Sequence, residues 1–508
     1  MKKRSIALFL VACLVGTVLS GCGDSSKNQP TDDRAAANII HVALPEDLDA
    51  SLDPHKTLSA LTREEMFNVF EGLVKPTPNG DLMNAVAEHY EISEDQKTYT
   101  FTIRDGITFH NGQPVTAEDA LWSIQRCKTP DSPEVFPVPA LELIESMEAV
   151  DERTLVITLS EPSNEFISYL TLAILPRDYT EQDTAPVGTG PFKYVSRQPQ
   201  ENMILEKYEN YWGEPAQLDQ VVYKIIENSD TLLMSLQSGA IDLCSHMTST
   251  QIAQLPEGFH VEEGTMNLVT AMYLNHNVKP LDDIRVRKAL CMGVDKQAII
   301  DLAFDGYGTP IGSSMYPAFG KYFDDSLTNY YTRDVEAAKA LLAEAGYPDG
   351  LDLKMTVPSN KKPYTETAEV LVAQLAEIGV NVEIQPVEWQ TWLDETYYGR
   401  NFETTVVGID ASNMTARALL ERFVSDFRKN FIGYNNAEYD ELFRQVLDET
   451  DDAKQTELYK KMERNLTENA ANVYIQDLAD LMAVRDGIEG VQFYPIYVLD
   501  LSQVHYVK

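Results

Sequence analysis

The chain is poor in the residues that announce chemistry. It has five cysteines in 508 residues and no CxxC pair, so neither a zinc knuckle nor a dithiol redox centre is expected. No GxSxG elbow and no HExxH pair occurs, and none of the eight histidines has another four residues away. Basic side chains are scarce: 41 Lys and Arg stand against 79 Asp and Glu, a formal net charge of −38. So acidic a surface repels phosphodiester backbones and anionic head groups, which sets aside nucleic acid as a partner. The one long apolar run, Ile6 to Gly21, covers 16 residues, short of the roughly 20 that cross a bilayer.

What precedes and follows that run is informative. Lys2, Lys3 and Arg4 stand before it, the basic region of a secretory signal. It ends in Leu19-Ser20-Gly21-Cys22, the pattern at which bacterial lipoproteins are cut and lipidated on the cysteine. Residues 1–21 are therefore expected to leave as a signal peptide, and Cys22 to carry the lipid. The mature net charge is then 38 − 79 = −41, because the signal holds three bases and no acid. After Cys22, residues up to 37 are small and polar and read as a flexible tether. The expected location is the extracytoplasmic face of the cell membrane, held by lipid alone. Three cysteines remain, Cys127, Cys244 and Cys291; one disulfide is possible, and a chain of this size does not need it.

The body reads as α/β, with strands and helices alternating and no tandem repeat. Ile39 onward, Thr98–Ile103, Thr154–Leu159 and the run from Leu268 read as strands. Ala60–Glu71 and the stretch from Asn435 to about Ala470 read as helical. Thr116 and Asp119 have capping-box spacing ahead of a helix. Asp334 is placed to cap a helix closed by Gly346, and the last stretch, Gly490 to Ser502, reads as strand.

Gly188-Thr189-Gly190 is the one segment that suggests a phosphate loop. A P-loop needs Lys-Ser or Lys-Thr after its glycines and a helix beyond them. Here Pro191-Phe192-Lys193-Tyr194-Val195 follows, a proline and then a strand-forming run, so the motif reads as a turn into a strand. Gly306-Tyr307-Gly308 fails the dinucleotide pattern, since Ile311 stands where its third glycine belongs. No cofactor is expected.

VGTGPFKYVS with its sequel LEKYENYWGEPAQLDQVVYKII resembles the signature block of the family-5 extracellular solute-binding proteins, the peptide-, dipeptide- and nickel-binding lipoproteins of ABC importers. LDPH, DGITFHNGQPVTAEDALWS, SLQSGAIDL, NVKPLDDIRVRKALCMGVDKQAII, RDVEAAKALLAEAGYPDG and NFIGYNNAEYDEL follow the family's order, over about residues 39–505. The resemblance implies a two-lobed, periplasmic-binding-protein-like clamshell with an additional inserted domain. Lobe I would comprise 38–76, 184–266 and 491–508, the inserted domain 77–183, and lobe II 267–490. The chain would cross the hinge near residues 265–273 and recross it near 492–499. It also implies a monomer that is no enzyme, whose partners are a peptide or other small solute and the transmembrane subunits of an ABC permease.

The resemblance points to ligand-binding residues as well. Peptide-binding relatives use the Asp of a Trp-x-x-Asp motif to hold the ligand's ammonium. Asp410 matches that Asp, while Val407 stands in the Trp position and Ser412-Asn413-Met414 follow where Asp-Pro is usual. Asp410 would equally serve as the N-cap of the helix that follows. Trp389, within Glu388-Trp389-Gln390-Thr391-Trp392-Leu393, is expected to stack on ligand or to fill core. Tyr273 is expected in the cleft or the core, and Arg417 or Arg422 to meet a ligand carboxylate or a surface acid. Three other readings stand beside peptide capture: a metal chelate such as nickel or another small organic solute, a secreted peptide hydrolase, and a signalling receptor.

The lipobox carries its own test. Replacing Cys22 with serine is expected to abolish incorporation of labelled palmitate and release the protein from the membrane pellet. A Cys22→Ser chain that stays in the pellet would mean a different anchor.

Overall fold

The computed structural model describes residues 37–57, 59–163, 165–411, 415–449 and 451–507. Cys22, its signal and Ser412-Asn413-Met414 lie outside the described residues. Ten strands form one continuous ladder, and its order in space places strand Asn472–Arg485 at the centre. On one side of it lie Val269–Leu274, Thr404–Ile409, Leu351–Pro358 and Val380–Val387. On the other lie Leu243–Cys244, Ile39–Leu44, Gln220–Ile225, Asn202–Lys207 and Phe192–Gln198.

Strand Asn472–Arg485 belongs to both lobes. Its C-terminal half pairs antiparallel with Phe259–Thr265, from Arg485 opposite Phe259 to Ala479 opposite Thr265. Its N-terminal half pairs with Val269–Leu274, from Gln476 opposite Thr270 to Asn472 opposite Tyr273. Only Met266-Asn267-Leu268 separate those two partners. The other edge holds Leu243–Cys244 in the first lobe and Gly308–Pro310 in the second.

This corrects one expectation. The chain passes between the two halves of the sheet at Met266-Asn267-Leu268 and again along Asn472–Arg485. Residues 491–500, read as strand, form no ladder and lie as irregular chain. The pattern misleads because Gln476, Asp477 and Asp480 interrupt the true strand with buried polar groups, whereas Val491–Leu499 is rich in β-branched and aromatic residues.

Each lobe packs helices on its sheet. In the second, helices Ile284–Gly293, Val335–Glu344 and Lys362–Glu377 cover one face through Leu290, Leu342 and Leu371. Helices Ala437–Asp448 and Asp452–Glu468 bury Tyr439, Tyr459 and Met462 on the other. Asp334 caps its helix as expected, its side chain accepting from Ala337 N. The inserted region carries a separate four-stranded antiparallel sheet, Ala87–Ile92, Thr98–Ile103, Thr154–Leu159 and Ile144–Ala149 in spatial order. There the alternation is literal: Tyr99, Phe101 and Ile103 face the core, as do Leu155, Ile157 and Leu159. Helix Ala117–Lys128 packs on that sheet, and Thr116 with Asp119 forms the expected capping box. Cys127, Cys244 and Cys291 are free, buried thiols in three separate cores.

The signature glycines close against the turn that follows helix Ala60–Met66, and His110 of the inserted domain packs on them. A Cβ on Gly188 would lie 2.1 Å from the Val69 carbonyl oxygen, and one on Gly190 2.5 Å from that of Asn68. The Gly190 N–H donates to Val69 O at 3.0 Å, and Phe192 N–H to Asn68 O at 3.1 Å. With those carbonyls engaged, helix Ala60–Met66 ends five residues earlier than the sequence suggests. His110 brackets the loop: its Nδ1 accepts from Gly188 N–H at 3.2 Å and its Nε2 lies 3.0 Å from Gly190 O. Burial lowers its pKa to about 4, so the ring is neutral and can play both parts. Thr189, Tyr211, Trp212 and Lys75 converge on the buried carboxylate of Glu71. The FHNG, GTGP and NYWG blocks are therefore pieces of one structural joint. Gly188→Ala forces backbone apart and is expected to destabilise at or above the upper end of the about 1–3 kcal/mol typical of overpacking. A lowered chemical-denaturation midpoint checks this.

Candidate functional site

The space between the lobes is floored by the two crossing segments. There Asn267 Nδ2 donates to Tyr494 O at 2.6 Å, and Leu268 N–H to Asp477 Oδ1 at 2.9 Å. The hydroxyl of Tyr316, from the second lobe, reaches Pro495 O at 3.4 Å. The irregular 491–500 stretch thus lies across the hinge. Asp477 is buried and its Oδ2 has no partner among the described residues; burial pushes its carboxyl up to about 8.

On the second-lobe side, strand Thr404–Ile409 ends beside the hinge, Ile409 pairing with Val269. Asp410 is the next residue and is exposed. No cation lies within 4.0 Å of its carboxylate among the described residues. Its backbone carbonyl accepts from Arg422 Nη2 at 3.4 Å, and its charge adds to the upward pKa shifts of Tyr316 and Tyr364, both caused chiefly by burial.

On the first-lobe side a buried ionic cluster faces the same floor. His246 Nε2 lies 2.9 Å from Glu64 Oε1, and its Nδ1 2.9 Å from Asp480 Oδ1 on the long strand. Tyr497 stacks on the ring at 4.6 Å between centroids. Burial alone would lower the His246 pKa, but the two carboxylates override it and hold it well above its ordinary value. The ring is a fixed imidazolium tying helix Ala60–Met66 to the hinge strand.

Two cavities open along this boundary. One, about 350 Å³, lies over the hinge between His246, Met247 and Leu481 of the first lobe and Leu302, Phe304 and Pro363 of the second. The other, about 690 Å³, separates the inserted domain, through Leu143, Glu161 and Tyr169, from Arg417, Arg422 and Phe427 of the second lobe. At its edge the Tyr459 hydroxyl donates to Glu165 Oε1 at 2.6 Å, a direct contact between the two bodies.

The expected ligand residues scatter among these places. Asp410 stands at the hinge mouth and does not cap the next helix: Ala416–Leu420 is capped by Thr415, whose side chain accepts from Ala418 N. Trp389 is half-buried and stacked 5.1 Å from Trp392, with Lys361 Nζ 5.7 Å from its ring centre. Tyr273 is core: fully buried, its hydroxyl donates to Val269 O at 2.9 Å and its ring packs on Phe431. Arg417 is paired with Glu421 at 2.8 Å and lines the larger cavity; Arg422 is the arginine that touches Asp410. Val407 is buried in the second lobe's core. Sequence reasoning missed Asp477 and the Glu64–His246–Asp480 cluster, because their partners are 182 to 234 residues apart in the chain.

Residues 81–431 match the family model described as bacterial extracellular solute-binding proteins, family 5 Middle. The chain is 28% identical over 468 residues to the dipeptide-binding protein of Escherichia coli, covering 84% of this chain and 86% of the relative. It is 30% identical over 423 residues to heme-binding protein A of Haemophilus influenzae, covering 75% and 76%. The periplasmic binding protein DppA from Helicobacter pylori, solved with the peptide STSA, superposes with a TM-score of 0.76 at 25% identity, covering 92% of this chain and 98% of that one.

Asp477 makes stability fall with pH. Between its unfolded value near 3.8 and its folded value of about 8, the unfolded chain loses the proton while the folded chain keeps it. Unfolding is therefore increasingly favoured across that window, by up to ~1.4 kcal/mol per pH unit from this group. Asp477→Asn keeps the acceptor for Leu268 and is expected to gain stability over the parent as pH rises from 4 to 8. Denaturation midpoints of both proteins across that range check it; a constant difference would contradict the assignment.

Proposed function

This chain belongs to the bacterial extracellular solute-binding proteins, family 5, and from that premise we propose that it captures short peptides between its lobes and passes them to the transmembrane subunits of an ABC importer. The observation that carries the reading is Asp410: an exposed carboxylate with no cation within 4.0 Å of it among the described residues, at the end of a sheet strand beside the hinge. A peptide ammonium supplies the missing charge. The chain of a peptide lying in extended form offers main-chain groups that any sequence shares, which gives affinity without strict side-chain choice. A carboxylate would find Arg422 in preference to Arg417, whose guanidinium already serves Glu421. Trp389, flanked by Lys361, is the candidate aromatic wall.

Closure would be driven by differential contact, since a ligand touches both lobes only when they approach. The division that goes with this proposal is 38–76, 184–266 and 491–508 in the first lobe, 77–183 inserted, and 267–490 in the second, with the end of strand Asn472–Arg485 running into the first lobe's sheet. The relatives are binding proteins, in line with a role without turnover. Lipid on Cys22 would hold a monomer at the extracytoplasmic face of the membrane, with no cofactor.

A second reading, capture of a metal chelate or another small organic solute, rests on Val407, which replaces the motif Trp and is buried away from the cleft. Native mass spectrometry of the protein purified without stripping separates the two: peptide masses support the first, one discrete or metal-bearing adduct the second.

Asp410→Asn is expected to weaken peptide binding by about 2–5 kcal/mol, if the carboxylate pairs with an ammonium that closure buries. Isothermal titration with a short peptide reads this out, and unchanged affinity would remove Asp410 from the site.

A further inference from the structure

We propose that the cavity between the inserted domain and the second lobe is an anion-accepting subsite, so that the favoured ligands are peptides with acidic side chains after their first residue. The inference rests on the peptide reading of the cleft and adds a specificity to it.

The chain carries a net charge of −38, yet the second-lobe wall of this cavity presents Arg417, Arg422, Arg428 and Lys429 within one short segment. Arg417 is engaged by Glu421. Among the described residues, no carboxylate lies within 4.0 Å of the other three cations. Arg422 is held in place, its Nη2 donating to the carbonyls of Asp410 and Ala418, and its Nε is buried without an acceptor. A buried guanidinium N–H with nothing to donate to lacks an acceptor, and a charged acceptor bonds it more strongly than a neutral one. Glu142 and Glu161 line the inserted-domain side, so the two walls differ in sign. Charges farther off matter little, because salt screens them beyond about 10 Å. The acidity of the whole chain therefore does not cancel the local cations.

Size and position fit the same ligand. About 690 Å³ falls within the roughly 300–1,000 Å³ of small-molecule sites. Arg422 joins this cavity to Asp410 through a 3.4 Å hydrogen bond, so the two sites are one side chain apart. A peptide with its ammonium at Asp410 sends its following residues past Arg422 toward Arg428 and Lys429. Side-chain carboxylates and the terminal carboxylate share the required chemistry, and the test separates them.

The test is isothermal titration of the full chain in detergent with Ala-Ala-Ala-Ala, Ala-Glu-Glu-Ala, its C-terminal amide, and Ala-Lys-Lys-Ala. Ala-Glu-Glu-Ala is expected to bind about tenfold or more tighter than tetra-alanine, and Ala-Lys-Lys-Ala weakest. Amidation should leave most of that preference, and raising salt from about 0.05 M to about 0.5 M should erode it. Arg428→Glu with Lys429→Glu, both at exposed positions, should bring the two affinities within about twofold, and Arg422→Gln should do so in part. Equal affinities in the parent protein would overturn the subsite while leaving peptide capture standing. So would a preference untouched by either variant, and one abolished by amidation would overturn the side-chain assignment. Binding of none of the four would overturn the subsite together with the peptide reading beneath it.

Discussion

One strand holds the molecule together and sets how it can move. Asn472–Arg485 gives its N-terminal half to one lobe and its C-terminal half to the other, with antiparallel partners in both. Along that edge the partner changes at Met266-Asn267-Leu268, and the register shifts once more between Thr270 and Ala271. The lobes are thereby fixed in register on a shared strand, across a floor made of backbone. The ionic cluster around His246 anchors one end of that floor, and the Asp477 contact to Leu268 pins its middle. Buried polar groups at this line cost stability, and they sit where a pivot must be specified more tightly than apolar packing alone achieves.

The larger cavity follows from the same geometry. The inserted domain is joined to the first lobe by His110, which contacts Gly188 and Gly190, and it meets the second lobe at Glu165 and Tyr459. Walls that approach from opposite sides of a hinge can carry opposite charge without either being buried against itself. The cavity shows this in excess, with Glu142 and Glu161 on one wall and Arg417, Arg422, Arg428 and Lys429 against the single Glu421 on the other.

Much of this was readable in the sequence where local pattern and tertiary environment agree. The alternation in Thr98–Ile103 and Thr154–Leu159 survives because one face of that sheet is core and the other is not. The Thr116 and Asp334 caps were legible because their chemistry is local. The long strand was not legible: it is buried on both faces and broken by polar residues whose purpose appears only once the lobes meet. Tyr273 and Arg417 show the same limit. Nothing in the local sequence tells a tyrosine that caps its own strand from one that lines a cleft, or an arginine committed to a neighbouring glutamate from a free one. The signature glycines were read correctly as a turn, but their cause, the carbonyls of Asn68 and Val69, lies some 120 residues upstream.

The three buried thiols have a consequence for how such a chain reaches its native state. Cys127, Cys244 and Cys291 end in three different cores, each held neutral by burial, with a pKa pushed up to about 12. No pairing of them exists in the folded molecule. In an oxidising compartment every disulfide formed among these three on the unfolded chain is then a wrong one that must be undone before the three cores can pack around their sulfur atoms. Folding therefore competes with oxidation, and a chain that buries its cysteines early wins that race without help from a reductant or an isomerase.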